Sequence, residues 1–254
     1  MNRFVQTNPL HMDEYKMVTR MEAEVIRQTI NMYHGDENAC GVLTSGGTES
    51  ICLAMLAYRE QGLKRGIKKP NIVCSNTAHA AFDKAGFLFN IEVRKVPITK
   101  DHRMDFNALK RQIDSNTVCL VASSPEFPYG SYDPLPKVAA LAKKRGIGCH
   151  NDCCLGSFVN PFVTEAGFTL PHCIDFRVPG VTSISCDPHK YGFAPKGVSV
   201  IMFSDKKLRE LQFFAVGRWN GGLYATTTIA GSRPGNVIVA TWACMMKFGQ
   251  KGYI

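Results

Sequence analysis

The sequence lacks any apolar run long enough to cross a lipid bilayer. Its longest apolar stretch, residues 198–203, is broken by Ser199 and falls far short of the roughly 18 residues that a spanning helix needs. The first 16 residues, MNRFVQTNPLHMDEYK, hold no apolar core and no small-residue cleavage site of a secretory leader. These absences predict a chain that works in a reducing compartment.

The cysteines follow no disulfide or metal pattern. There are 10 of them, at positions 40, 52, 74, 119, 149, 153, 154, 173, 186 and 244. Most stand singly in apolar runs such as IVCS and TVCLVAS, which is typical of small buried side chains. The Cys149–Cys154 stretch, which includes His150, lacks CxxC…CxxC spacing, and strand alternation places neighbours on opposite faces. We therefore expect no bound metal.

The charge is strongly basic but scattered. The chain carries 30 Lys and Arg against 21 Asp and Glu, a net charge of +9. The few basic clusters stand beside Gly or Pro at predicted helix ends, where cations complement the helix dipole. No aromatic residues are interleaved with them, so a solvated surface is favoured over a nucleic-acid interface. The excess also suits a phosphorylated ligand.

The chain has no internal repeat and no linker, and its 254 residues, 45% hydrophobic and 20% charged, are typical of a globular α/β domain. Residues 13–34 are predicted as an amphipathic helix, with Asp13 as a possible N-cap and Gly35 as the stop. Residues 51–58 and 236–249 are also predicted to be helical.

Seven short β-rich runs alternate with helical stretches. They are Gly41–Thr44, Asn71–Ser75, Ile91–Val96, Thr117–Ser123, Ile147–Asp152, Thr182–Cys186 and Val198–Phe203. Strands separated by helices favour one large, mostly parallel sheet covered on both faces, and such sheets place ligands at the carboxyl ends of their strands. Candidate site residues are therefore sought at those ends.

The first candidate is the turn Ser45-Gly46-Gly47-Thr48, between a predicted strand and a predicted helix. Glycines let backbone N–H groups approach a ligand, and the helix N-terminus adds positive potential, which suits a phosphate. The turn lacks the Walker lysine and the GxGxxG spacing. A plain tight turn with a helix cap explains the same residues.

Two further candidates end strands. Asp152 is badly placed for burial unless a cation pairs with it, and a protonated cofactor ring nitrogen would serve; a capping Asp is the alternative. Lys190, in Asp187-Pro188-His189-Lys190, is either a solvated lysine or an amine for covalent attachment to an aldehyde, its pKa lowered by nearby cations or partial desolvation, with His189 beside an anion. The glycine-rich stretch 219–235 suits a second phosphate contact, a subunit interface or a long connection.

In order along the chain, a glycine turn, the strand-end His79, Asp152 and Lys190 resemble the pyridoxal-phosphate enzymes of the aspartate-aminotransferase fold (fold type I). The words TNPLH, TSGGTES, AHAAF, SPEFPYG, DCCLGSF, DPHKYGFAPKG and WNGGLYATTTIAGSRPG are similar to those of the sphingosine-1-phosphate lyases, in the group II decarboxylase family. The resemblance covers nearly the whole chain. It implies a cofactor-binding large domain at 36–254 after an N-terminal segment and helix at 1–35. The family's membrane anchor and small C-terminal domain are not in these residues.

The resemblance also implies roles for single residues. Lys190 corresponds to the lysine that binds pyridoxal 5'-phosphate covalently, and Asp152 to the carboxylate on its ring nitrogen. The other cofactor contacts that it implies are His79 stacked on the ring, Cys154 near it, Gly47, Thr48 and His189 at the phosphate, and Ser232 supplied by the other subunit. It implies that the substrate's own phosphate is held by Asn8, His11 and Lys196.

The implied function is cleavage of a sphingoid base 1-phosphate, a carbon–carbon lyase reaction of sphingolipid metabolism, by a homodimer. Two alternatives stay open: an amino-acid decarboxylase of the same group, which would need a carboxylate clamp instead of Asn8, His11 and Lys196, and an inactive or regulatory cofactor-binding fragment that pairs with a full-length chain. Full-length members are expected at the cytosolic face of the endoplasmic reticulum membrane. For a chain without the anchor, the cytosol is the alternative location.

Overall fold

The computed structural model describes residues 2–254. They form seven α-helices, α1 Lys16–Met32, α2 Gly47–Lys64, α3 Ala81–Phe89, α4 Phe106–Gln112, α5 Leu135–Arg145, α6 Lys206–Glu210 and α7 Gly235–Tyr253. They also form nine strands, β1 Cys40–Thr44, β2 Asn71–Ser75, β3 Glu92–Val96, β4 Thr117–Ser123, β5 Gly148–Asp152, β6 Ser183–Cys186, β7 Ser199–Phe203, β8 Phe214–Trp219 and β9 Gly222–Thr226.

The first seven strands build one sheet in the order β1-β7-β6-β5-β4-β2-β3. All seven predicted strands are confirmed to within a residue or so at each end. The pairs from β3 to β6 are parallel, whereas β7 runs antiparallel to both of its neighbours. Because β7 is reversed, β1 points the same way as β6. The carboxyl ends of six strands therefore meet at one edge of the sheet.

Side-chain alternation divides the core into two layers. In β4, Leu120 packs on one face and Val121 on the other, as successive residues of a pleated strand must. The first face is covered by α1, α4, α5 and α7, and the second by α2, α3 and α6. Eight of the ten cysteines are buried and all ten are free thiols, which confirms that most of them serve as small core side chains. The sheet is therefore covered on both faces, as predicted.

Helix ends follow local chemistry, with one correction. Helix α1 begins at Lys16 behind Tyr15, so Asp13 does not cap it; the Tyr15 N–H instead bonds the His11 carbonyl at 3.1 Å, within a turn that precedes the helix. At the other end, the Gly35 N–H bonds the Ile30 carbonyl at 3.0 Å, as a helix stop should. Helix α7 is interrupted at Gly249, which has φ +57°.

The stretch 219–235 is not wholly a loop, because β8 and β9 form an antiparallel hairpin at its start. The signal was present in the sequence: Asn220-Gly221 is a preferred two-residue hairpin turn, and apolar residues flank it. Most of the hairpin is exposed, including Trp219 at 57% and Leu223 at 78%. Among residues 2–254, no helix combines the length and the apolar character that a membrane span requires.

Candidate active site

A cleft of about 330 Å³ opens at the edge of the sheet where the strands end. We call it the strand-end cleft; the predicted residues that line it are Gly47, Thr48, His79, Cys154, His189 and Lys190. They come from the turns after β1, β2, β5 and β6. The topology thus brings together side chains that are up to 143 residues apart in the chain.

Gly47 is required by close approach. A Cβ built on it would lie 2.8 Å from Asp187 Oδ2 and 2.9 Å from Cys154 Sγ, closer than side chains pack. Gly47 is also the first residue of the 18-residue helix α2. The first N–H groups of a helix have no partner within it and carry partial positive charge. The N-terminus of α2 therefore faces the strand-end cleft, and both an anion site and a plain helix start stay consistent with it.

Lys190 is held by a carboxylate. Its Nζ lies 2.9 Å from Asp187 Oδ2, and His189 Nε2 lies 3.5 Å from the same oxygen. Burial lowers the pKa of Lys190, but the charge of Asp187, with smaller effects from Cys154 and Asp152, outweighs it and leaves this pKa raised. The lowered pKa expected from nearby cations or desolvation is wrong for this state, because the close neighbour is an anion.

Asp187 is the site residue that the sequence analysis left without a role. It is 1% exposed, and its Oδ1 has no hydrogen-bond partner among the described residues. Burial raises the pKa of Asp187, but hydrogen bonds from His189, Ser199 and Lys190 and the charge of Lys190 outweigh it and hold the pKa below its ordinary value. A buried acidic residue three positions before a strand-end lysine was the available signal.

Asp152 lies one layer deeper, at the end of β5, and is 6% exposed. Its Oδ1 accepts hydrogen bonds from the Cys154 backbone N–H at 3.0 Å and from Ser185 Oγ at 3.1 Å. Within residues 2–254, its Oδ2 receives no hydrogen bond, which leaves one oxygen for a cationic group. The strand-end location is as expected, and the hydrogen bond from the Cys154 N–H is that of the capping alternative.

His79 and Cys154 complete the cleft. His79 Nδ1 accepts the Ala81 backbone N–H at 3.0 Å, so the ring is held at the start of α3 and its proton is on Nε2. Cys154 is 5% exposed, and burial, followed by the charges of Asp152 and Asp187, raises its thiol pKa well above the ordinary value. Cys154 is therefore a neutral thiol rather than a nucleophile.

Four other predicted residues lie outside this lining, and two of them meet at a second place. Asn8 Nδ2 donates to Ser232 Oγ at 3.0 Å, and Asn8 Oδ1 accepts the Arg233 backbone N–H at 3.1 Å. We call this contact between residues 7–10 and 228–235 the loop junction. Lys196 Nζ donates to the His189 carbonyl at 2.8 Å, and His11 is exposed.

Two buried glutamates, which the sequence analysis did not single out, fasten the loop junction. Glu22 of α1 pairs with the Arg233 guanidinium through two hydrogen bonds, one of them 3.1 Å long. Glu49 of α2 accepts the Ser45 N–H at 2.7 Å and the Ile229 N–H at 2.9 Å. Glu49 therefore connects the turn at residues 45–48 with the 228–235 loop. Only the placement of the distant loop explains its burial, so no local pattern predicted it.

Comparison with known proteins identifies the family. The pyridoxal-dependent decarboxylase conserved domain matches residues 2–254. The chain belongs to the pyridoxal-dependent decarboxylase family. The membership predicted from the motifs is confirmed, and with it the fold. Among the described residues of this decarboxylase-family chain, no group of three His, Cys, Asp or Glu side chains is arranged to hold a metal ion.

Two curated relatives of this decarboxylase-family chain are named as sphingosine-1-phosphate lyases. It is 50% identical over 251 residues to sphingosine-1-phosphate lyase 1 of Rattus norvegicus, covering 99% of this chain and 44% of the relative. It is 52% identical over 250 residues to sphingosine-1-phosphate lyase of Drosophila melanogaster, covering 98% and 46%. The chain thus spans less than half the length of these two relatives.

Solved structures agree on the fold of the family. Sphingosine-1-phosphate lyase of Burkholderia pseudomallei superimposes with a TM-score of 0.96 at 39% identity, over 99% of this chain and 60% of that one. Glutamate decarboxylase of Lactobacillus brevis superimposes with a TM-score of 0.86 at 24% identity, over 99% and 60%. At that identity the second comparison shows the fold alone.

Proposed function

We propose that the chain is the cofactor-binding part of a pyridoxal-phosphate-dependent lyase that cleaves sphingoid base 1-phosphates. The observation that carries the proposal is the strand-end cleft, where Lys190, a helix N-terminus and the nearby Asp152 meet. Relatives at about 50% identity are named as lyases of this substrate, whereas the glutamate decarboxylase shares 24%. The amino-acid decarboxylase alternative is therefore not favoured.

The residues of the cleft fit pyridoxal 5'-phosphate. Gly47 and Thr48 would hold the phosphate with backbone N–H groups and a hydroxyl, beside His189. Asp152 keeps one oxygen without a hydrogen bond for the ring nitrogen, and Lys190 Nζ is the amine for covalent attachment. His79 and Cys154 would flank the ring.

When bound, pyridoxal phosphate supplies an aldehyde that condenses with amines and a ring that withdraws electrons from the bond being broken. The protein residues set the conditions for this chemistry. The Asp152 carboxylate, held by Ser185 and the Cys154 N–H, would favour a proton on the ring nitrogen. Lys190 Nζ holds a proton beside Asp187 and must release it before the amine acts as a nucleophile.

The proposed cleavage breaks the C2–C3 bond of the sphingoid base. The 3-hydroxyl loses its proton and becomes the carbonyl of a long-chain aldehyde, while C2 keeps the bonding electrons, gains a proton and leaves in phosphoethanolamine. We propose that Asn8, His11 and Lys196 bind the substrate phosphate. The hydrogen bond from Lys196 to the His189 carbonyl, beside the cleft, supports the role of Lys196.

We further propose a homodimer in which Ser232 contacts the cofactor phosphate of the other subunit. Two observations support it. Ser232 is exposed and bonds Asn8 rather than lining its own strand-end cleft. The neighbouring hairpin exposes Phe214, Trp219 and Leu223, an apolar surface that suits a protein partner. Sedimentation of the purified chain tests the stoichiometry.

The domain division and the location are also proposals. We propose residues 1–35 as an N-terminal segment and helix and residues 36–254 as the cofactor-binding domain. We propose a location at the cytosolic face of the endoplasmic reticulum membrane, as the family resemblance implies, with the cytosol as the alternative. Fractionation of cells that express the chain tests the location.

The deciding experiment mixes the purified chain with pyridoxal phosphate, reduces the mixture with borohydride and maps the modified peptide. We expect the cofactor on Lys190 and none on Lys190→Ala. Cleavage of sphingosine-1-phosphate is assayed in parallel, by the aldehyde and the phosphoethanolamine released. Modification without cleavage would reduce the proposal to a cofactor-binding chain, and a folded chain with no modified lysine would overturn it.

A further inference from the structure

A line of buried polar side chains runs beneath the strand-end cleft and ends on Asp152. It consists of Tyr58, Ser183, His150 and Ser185, each with no exposed surface. Tyr58 OH lies 2.6 Å from Ser183 Oγ, and Ser183 Oγ lies 2.7 Å from His150 Nδ1. His150 Nε2 lies 3.3 Å from Ser185 Oγ, which lies 3.1 Å from Asp152 Oδ1. We call this set the buried relay.

Sheet register builds the buried relay. His150 is paired with Ser183, and Asp152 with Ser185, across the parallel strands β5 and β6. Residues two apart in a strand face the same side, so all four side chains lie on one face, beneath helix α2, which supplies Tyr58. Gly148 makes room for Tyr58, because a Cβ there would lie 2.2 Å from its ring.

The hydrogen bonds of the buried relay can point in only one direction while Asp152 is ionised. A carboxylate accepts only, so Ser185 gives its single proton to Asp152 and must accept from His150 Nε2–H. A neutral imidazole has one N–H, so its Nδ1 accepts from Ser183, and Ser183 then accepts from Tyr58. Tyr58 OH also lies 2.8 Å from Thr182 Oγ1, outside the buried relay. Of the two neutral tautomers of His150, Nε2–H is the one that makes every contact of the buried relay a hydrogen bond.

Two features indicate that His150 stays neutral. Burial lowers its pKa to about 4, and the charge of Asp152 only partly offsets this. The His150 ring also makes an edge-to-face contact with the apolar ring of Phe82, with 5.8 Å between the two ring centroids. A protonated histidine beside Asp152 would neutralise the carboxylate, whereas a neutral one orients it and leaves its charge for another partner.

We propose that His150 is a positioning residue of the cofactor site: as the Nε2–H tautomer, it directs the Ser185 proton onto Asp152 and so holds that carboxylate oriented. This inference rests on the proposed role of Asp152 as the partner of the cofactor ring nitrogen. It assigns functions to His150, Ser183, Ser185 and Tyr58 that no other contact of the site gives them.

The first test reads the tautomer directly and needs no cofactor. Nitrogen NMR of the full chain, labelled at histidine, distinguishes Nε2–H from Nδ1–H imidazoles, and His150→Gln identifies the resonance. We expect a neutral Nε2–H ring that does not titrate between about pH 5 and 8. A cationic ring or the Nδ1–H tautomer would overturn the proposal even if the chain bound no cofactor, a result that by itself would contradict only the proposed function.

The second test follows the loss of effect along the buried relay. We expect Ser185→Ala and His150→Phe to lower kcat about tenfold or more and to change KM less than about threefold. Ser185→Ala removes the hydrogen bond to the Asp152 carboxylate, and His150→Phe removes the donor that orients Ser185. Ser183→Ala should act less and Tyr58→Phe least. His150→Gln, which can donate and accept, should restore part of the activity.

Tyr33→Phe is the matched control, because Tyr33 is equally buried and donates to the Ser157 carbonyl at 2.7 Å, outside the buried relay. Its kcat should stay within about twofold of the parent. The cofactor absorbance spectrum should shift in the relay variants and not in the control. If His150→Phe does not fold, the two serine variants decide. Unchanged kcat and spectrum in both would refute the proposal.

Discussion

The strand-end cleft and the loop junction carry the two groups of candidate site residues, and they are built differently. In the cleft, side chains at the ends of buried strands converge, and Asp187 and the deeper Asp152 are almost completely buried. At the loop junction, exposed or half-exposed segments are joined by single side chains, Asn8, Glu22 and Glu49, which reach across to residues 228–235. The cleft therefore depends on the sheet, whereas the junction depends on a few polar contacts.

The largest effect is expected at the loop junction. Arg233→Met leaves Glu22 buried without its partner, and the free energy of unfolding should fall by about 3 kcal/mol. Arg20→Met is the matched control, because the Arg20–Glu24 pair lies on the same helix α1 but is exposed. Its removal should cost less than about 1 kcal/mol. If urea unfolding shows the same loss of unfolding free energy in Arg233→Met and Arg20→Met, the loop junction does not depend on the Arg233–Glu22 contact.

A pH effect of similar size is expected on the cleft side of the sheet. Asp133 accepts the N–H of Ser123, the last residue of β4, and is 1% exposed. Burial, with a smaller effect of Glu126, raises its pKa from 3.8 to about 6. The unfolded chain then loses this proton first, so stability due to Asp133 is complete below about pH 4 and declines towards pH 6 by roughly 2–3 kcal/mol.

Asp133→Asn provides the reference for that measurement, since it keeps the shape and cannot ionise. The difference in unfolding free energy between the parent and this variant, measured in urea from pH 4 to pH 7, should move against the parent as the pH rises. A difference that stays constant over this range contradicts the expected sign.

The same glycine-to-alanine substitution compares the strand-end cleft with the exposed β8–β9 hairpin. Gly47→Ala places a methyl group against Asp187 and Cys154 and should lower the unfolding free energy by about 2 kcal/mol, and it should also reduce the borohydride-fixed cofactor. Gly217→Ala, in the exposed hairpin, meets nothing within 4 Å and should change stability by less than about 0.5 kcal/mol. Similar losses would mean that the cleft is as tolerant as the hairpin.

The smallest effect concerns Glu49, which connects the two regions. Glu49→Gln loses one of two accepted N–H bonds, worth about 1 kcal/mol, so the Ile229 amide should exchange with deuterium about fivefold faster. Glu60→Gln, on the same helix and paired with Arg59, should leave that exchange unchanged. Unchanged exchange of the Ile229 amide in Glu49→Gln would show that this side chain does not couple the 228–235 loop to the turn at residues 45–48.

The sheet and the cleft were predictable because their signals are local. Each strand is a short β-rich run. Asp152 is the last residue of β5 and Lys190 lies four residues beyond β6, so the rule that parallel strands present ligands at their carboxyl ends places them at one edge. The hairpin was missed because the glycines of the stretch 219–235 favour a loop, although Asn220-Gly221 is also a hairpin turn. Glu22 was missed because its partner Arg233 lies 211 residues away. Glu49 has a local partner in Ser45, but its contact with Ile229 spans 180 residues and follows no local pattern.

The position of β1 at the end of the sheet has a consequence for synthesis on the ribosome. Its neighbour in the sheet is β7, whose residues 199–203 follow those of β1 by about 160 positions. At roughly 5–20 residues per second, the glycine turn after β1 waits roughly 8–30 s before the strand that fixes it exists. The apolar side chains of β1 lack this partner during that interval, whereas α2 can already pack on α3 and β4. Exposure of β1 should therefore end only once β7 has been made.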